Sequence, residues 1–210
     1  MINILIKETD SLFILGMQAF FTDFFARRLN KAVTFLPDYS QENIALAEVI
    51  VLSFRKGERY TCFPELRVRT KGIIIGLVDE KETHEQSPSC FADIVYINRH
   101  SSMEEWTDKI DTVWKKWRMS PTPLAYPSCL WCKNRQMSNH QLRIMAHIYQ
   151  GKTVKWISSY LGLSTKTIFS QKYLVRHKFN LRNDIELIEF LNVLAEKELN
   201  SSRFSLLIRR

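Results

Sequence analysis

Three of the chain's six prolines fall within seven residues, at Pro121, Pro123 and Pro127. Proline lacks the amide donor that a helix needs, and its ring clashes with the preceding turn. Each X-Pro step also favours extended chain. Neither a helix interior nor a central strand fits the stretch from Met119 to Ser128. The 210 residues are therefore expected to fold as two pieces joined by a semi-rigid spacer, read as residues 119–135. The pieces are 1–118 and 136–200, with a basic tail at 201–210.

The first piece alternates between two periodicities. Ile2–Ile6, Val49–Phe54, Ile73–Val78 and Asp93–Ile97 are short apolar runs, with Val33–Leu36 as an additional candidate. Between and after them come helical patterns. Leu12–Leu29 repeats apolar residues at Leu12, Leu15, Met17, Phe20, Phe21, Phe24 and Phe25, and Met103–Trp117 follows Ser101 or Ser102 as cap. Unbroken apolar strands alternating with helices predict an α/β layer with a parallel sheet covered on both faces. Arg55–Arg69, with seven charges, Gly57 and Pro64, signals a helix only poorly.

The second piece predicts four helices. The first spans about Asn139–Gln150 and stops at Gly151. The second spans about Val154–Leu161 behind Thr153. A tight turn, Gly162-Leu163-Ser164, leads to the third, about Thr165–Phe179. Asn183 or Asp184 caps the fourth. A short helix, a glycine turn and a second basic helix form a helix-turn-helix. Ile157, Leu161, Leu163, Ile168, Leu174 and Val175 are expected to join the two helices. The third helix then presents small or long polar side chains to the major groove, which admits one helix.

Charge supports that reading. Residues 1–118 hold 16 Lys or Arg against 17 Asp or Glu, whereas residues 136–210 hold twelve against five. Not one acid lies between Asp111 and Asp184, while thirteen Lys or Arg do. Such a block implies a polyanionic partner. The chain contains no GxGxxG or GxxxxGK[ST] loop and no Ser/His/Asp arrangement, so no enzyme, cofactor or metal is expected. Cys62, Cys90, Cys129 and Cys132 do not make a disulfide scaffold, and the N-terminus lacks a signal peptide's basic lead, so a reduced, cytoplasmic protein is expected. Cys129 and Cys132 form a CxxC, read as a packed linker pair. A redox- or zinc-sensing adapter is the rival from another class.

The segment from Gln150 to Ile168 resembles the LuxR/FixJ-type DNA-binding domain, and Lys166-Thr167-Ile168-Phe169-Ser170-Gln171-Lys172 is similar to its RcsB-like branch. Ser138 sits where that family caps its first helix, although Asn139 and Gln141 replace the frequent Pro and Glu. The resemblance implies DNA contacts from Lys155, Ser164, Lys166, Thr167, Phe169, Ser170 and Lys172; Thr165 and Gln171, polar residues early in the third helix, and Arg176 further along it complete the expected DNA-binding set.

Leu12–Phe21 and the alternating pattern resemble a response-regulator receiver, a flavodoxin-like parallel sheet. Receivers bind Mg²⁺ through an acidic pair and accept phosphate on an aspartate. Here the acidic pocket falls on Glu8, Thr9 and Asp10, the acceptor position on Ser53, and the usual lysine near Asn98 or Arg99. The resemblance thus implies a pseudo-receiver that keeps the fold for association. A degenerate receiver before an RcsB-like domain is similar to the RcsA, BglJ and mucoid-phenotype auxiliary regulators. That implies double-stranded DNA and an RcsB-like response regulator as partners, and control of capsule or other surface genes. A self-sufficient homodimeric regulator is the nearer rival.

Overall fold

A computed structural model describes residues 1–79, 93–120, 137–198 and 208. The chain divides into two compact units. One is built on Met1–Phe54 and the chain from Cys62, the other on Arg55–Thr61 together with the chain from Asn134.

The first unit is a five-stranded sheet in which every pair is parallel: β1 (Ile2–Lys7), β2 (Val33–Phe35), β3 (Val49–Ser53), β4 (Ile73–Val78) and β5 (Ile94–Asn98), in the order β2-β1-β3-β4-β5. The pleat alternates side chains between faces. Val49, Val51, Ile73, Ile75 and Leu77 go to one face, where α1 (Ser11–Leu29) and α3 (Met103–Met119) supply Met17, Phe21, Phe24, Phe25, Trp106, Ile110 and Trp114. Ile50, Leu52, Ile74 and Val78 go to the other, with Ile44 of α2 (Gln41–Leu46) and Leu66. Two covered faces explain why the strands read as continuous apolar runs. Gly76 is required on the second face, because a Cβ there would lie 2.5 Å from the Phe54 ring and 2.9 Å from that of Tyr96.

The sequence reading needs amendment in this unit at three points. Leu12 and Leu15 lie on the outer side of α1 and stay exposed, whereas Phe13, Ile14 and Met17 from the same turns pack inward. The stretch after β3 forms two 3₁₀ turns in place of a helix: Glu58–Tyr60, which belongs to the second unit, and Pro64–Val68. The short α2 had no legible signal of its own.

The second unit holds α4 (Asn139–Tyr149), α5 (Val154–Leu161), α6 (Thr165–Lys178) and α7 (Asp184–Glu198). Ser138 and Gln141 close a reciprocal capping box: the Ser138 hydroxyl accepts from the Gln141 amide at 3.2 Å, and the Gln141 side chain accepts from the Ser138 amide at 3.0 Å. Gln141 thus supplies the acceptor that closes the box. Ile144, Met145, Ile157, Ile168, Val175, Phe179, Leu187, Phe190 and Leu191 form the shared core. Leu174, expected in that core, is exposed; Ile168 and Val175 already fill the inner side of α6. The Cys129/Cys132 pair and Arg203, Arg209 and Arg210 lie outside the described residues.

Candidate nucleic-acid interface and switch crevice

The α5–α6 pair is set by its turn. Gly162 takes a left-handed conformation at φ 65°, which costs a glycine nothing sterically. The Leu163 amide then returns to the Ser158 carbonyl at 2.9 Å, and the Ser158 hydroxyl donates to the Leu163 carbonyl. Ser164 follows as cap of α6: its Oγ accepts from the Thr167 amide at 3.0 Å and lies 2.8 Å from the Thr167 hydroxyl. The hydroxyls of Ser164 and Thr167 are thus engaged in starting the helix.

Along α6, Thr165, Lys166, Phe169, Ser170 and Tyr173 are exposed. Their spacing puts them on one stripe of the helix. Tyr173 extends the stripe beyond the residues picked from sequence, although its position four beyond Phe169 was signal enough. Gln171, Lys172 and Arg176 lie to the side and are half-buried. Lys172 sits 5.6 Å from the Phe169 ring centre and donates to Asp184 at 2.7 Å; Arg176 reaches the same carboxylate at 3.4 Å and also donates to the Arg182 carbonyl. On α5, Lys155 is exposed beside Trp156 and Tyr160, whose rings stack at 4.7 Å with His147 edge-on to both. The arrangement offers a polar and aromatic ridge with exposed cations at Lys155 and Lys166. It suits entry into a groove lined by phosphates.

In the first unit, the sheet order reverses between β1 and β3. Ligands of open α/β sheets bind outside the C-terminal strand ends at that point. Three of the sequence-picked positions meet there. Glu8 Oε2 accepts from the Ser53 hydroxyl at 2.5 Å and from Arg99 at 2.6 Å, while Oε1 accepts from the amides of Thr9 at 2.6 Å and Asp10 at 3.0 Å. The Glu8 side chain is only 4% exposed. Asp10 is not part of this cluster through its carboxylate, which instead caps α1 by accepting from the Leu12 and Phe13 amides. The Thr9 side chain meets Glu8 only loosely, at 3.4 Å. Arg99 is further held over the Phe13 ring at 4.5 Å, with Asp79 at 3.8 Å.

Mg²⁺ wants several hard oxygens in octahedral array. Glu8 is the one carboxylate at the centre of this cluster, four donors already use its oxygens, and one of them is a guanidinium. These residues do not fit a divalent cation. Among the described residues no group of three or more His, Cys, Asp or Glu could hold a metal.

Burial pushes the Glu8 carboxyl up, but hydrogen bonds from Ser53, Asp10 and Thr9, with the Arg99 charge, outweigh it and hold it below its ordinary 4.5. A carboxylate depressed on folding contributes stability above its unfolded pKa, and that contribution is lost as pH falls through the folded value. The first unit should therefore weaken progressively as pH drops below 4.5. Urea midpoints measured against pH should show the slope flattened in Glu8→Gln. An equal slope in both proteins would remove Glu8 as its source.

Residues 135–191 match the family model described as bacterial regulatory proteins, luxR family. The second unit therefore carries a luxR-family helix-turn-helix domain. Across both units the chain is similar to solved RcsB structures. One shows two RcsB dimers bound to two parallel DNAs: TM-score 0.54 at 16% identity, covering 91% of this chain and 98% of that one. An RcsB–DNA complex gives 0.52 at 16% with the same coverage. RcsB from Salmonella enterica serovar Typhimurium, bound to promoter P1flhDC with a phosphomimetic, gives 0.54 at 17%, covering 90% and 97%. At such identities the likeness is one of fold. No curated protein matches the chain.

Proposed function

We propose that the chain is a DNA-binding transcription regulator of the bacterial cytoplasm whose first unit serves association and takes no phosphate. One observation carries the DNA reading: the exposed stripe Thr165, Lys166, Phe169, Ser170 on a helix propped by α5. In this reading α6 lies in the major groove. Lys155 and Lys166 neutralise phosphates, and the α6 N-terminus favours a further one. Ser170 and Gln171 reach base edges. Ser164 and Thr167 contribute through the cap they form, which fixes the start of α6.

The cluster around Glu8 supports a receiver without its chemistry. Ser53 offers a hydroxyl where an acyl phosphate needs a carboxylate, and a guanidinium stands near the carboxylate a metal would need. Acetyl phosphate should neither label the protein nor change its DNA affinity. Labelling on Ser53, or a shift in a gel-retardation midpoint, would restore a phosphorylation switch.

In our reading the chain pairs with an RcsB-like response regulator at promoters of capsule or other surface genes. The physical motive is that one helix-turn-helix reads a half-site, and two joined copies supply the affinity and spacing of a full operator. Footprinting with and without RcsB tests this, alongside sedimentation of the pure protein. A full-length footprint should need both proteins. A homodimer that protects an operator alone would overturn the partner claim and leave a self-sufficient regulator.

A further inference from the structure

Lys172 and Arg176 stand out on α6 because their cationic heads are already matched. Asp184, at the start of α7, receives Lys172 at 2.7 Å and Arg176 at 3.4 Å. The Lys172 and Arg176 side chains are 18% and 27% exposed, whereas that of Asp184 is 58% exposed. The geometry is that of two cations gathered on one outward-facing anion. Asp184 is also the first acid met after Asp111 along the chain, so it is placed where the basic block would otherwise be unopposed. It is not needed to cap α7, because the Asn183 side chain already accepts from the Glu186 amide at 2.9 Å.

We infer that Asp184 is an internal phosphate surrogate that sets how strongly α6 binds DNA regardless of sequence. The inference rests on the DNA-docking reading above. A Lys172 held by Asp184 releases no counterion when DNA arrives, so it adds nothing to the sequence-independent term. To grip a phosphate it must leave the carboxylate, and the carboxylate then faces the duplex with only the longer Arg176 contact, at 3.4 Å, to offset it. Both effects penalise loose backbone binding. The groups assigned above to base edges, Ser170 and Gln171, are not the ones that engage this carboxylate, which are Lys172 and Arg176. Asp184 therefore raises the ratio of specific to non-specific affinity without touching a base. Arg176 is less free to move, because it also donates to the Arg182 carbonyl.

The test is Asp184→Asn in the full chain, titrated by fluorescence anisotropy against a random-sequence duplex over a range of salt. One released cation should steepen the log–log salt slope by about 0.9, which at 0.1 M salt is roughly eightfold tighter non-specific binding. Adding Lys172→Gln to Asp184→Asn should return the slope to the wild-type value. Circular dichroism melts of both variants establish that α6 and α7 remain folded. An unchanged slope in folded Asp184→Asn overturns the inference. So does a gain that survives Lys172→Gln, since the acid would then act by simple repulsion. If the variant does not fold, Lys172→Gln alone decides: it should leave the wild-type slope nearly unchanged, and a loss of about one full contact overturns the inference. Wild-type protein that shows no salt-dependent binding to any duplex would instead remove the DNA-docking reading itself.

Discussion

Lys166→Ala should weaken binding to a full operator by roughly tenfold or more, the range expected when a groove contact or phosphate contact is lost. Lys166 is exposed in the first turn of α6, on the stripe that includes Phe169 and Ser170. It is not among the residues that Asp184 engages. If it grips a phosphate, the salt slope should fall by about 0.9 and affinity should drop equally for all sequences. If it reads a base, the slope should hold and discrimination should relax at one operator position. Anisotropy over salt, with single-base operator variants, separates the two. Lys172→Ala should do less, because that cation is offset before DNA arrives. Equal losses from the two substitutions, or none from Lys166→Ala, would place the wrong face of α6 on the duplex.

Ile168→Ala should cost the second unit about 3 kcal/mol, within the usual range for emptying a buried aliphatic site. Ile168 is fully buried on the inner side of α6 and shares its core with Ile157 of α5 and Ile144 of α4. The cavity would fall where the recognition helix is held against its support, so the loss should appear as loosening of the whole helical unit. Hydrogen exchange should show protection falling in α4–α7 and holding in β1, β3 and β4, whose core is separate. DNA binding should fall with it. Undiminished protection in α4–α7 would mean that the helices close over the gap, and that α6 does not depend on this contact for its position.

Much of this architecture was readable before any coordinates. Strands β1, β3, β4 and β5 announce themselves because both faces of the sheet are covered, leaving no polar alternation to confuse with loop. The helix-turn-helix was legible through its turn: Gly162 and Ser164 do what their side chains predispose them to do. What escaped was tertiary. Asp184 lies twelve residues beyond Lys172, and no local pattern says that the two meet. Asp10 looked like part of an acidic pocket, yet helix start-up claimed its carboxylate. Leu12, Leu15 and Leu174 lie on the outer sides of their helices, away from Met17 and Phe21 in α1 and from Ile168 and Val175 in α6, so an apolar residue within a helix is not by itself a core residue. The short α2 buries only Ile44, too little for a periodic signal to form.

The guanidinium that stands beside Glu8 is covalently tethered, and a tether changes what the crevice can sense. A freely exchanging metal is surrendered to chelators and tracks the ionic composition of its surroundings; a side chain on the strand-end loop does neither. Under the reading proposed above, a protein so equipped would be insensitive to EDTA and to the supply of high-energy metabolites. Its output would follow stoichiometry alone: the number of copies present set against the number of companions and sites. Synthesis and degradation would then be the levers by which a cell adjusts it.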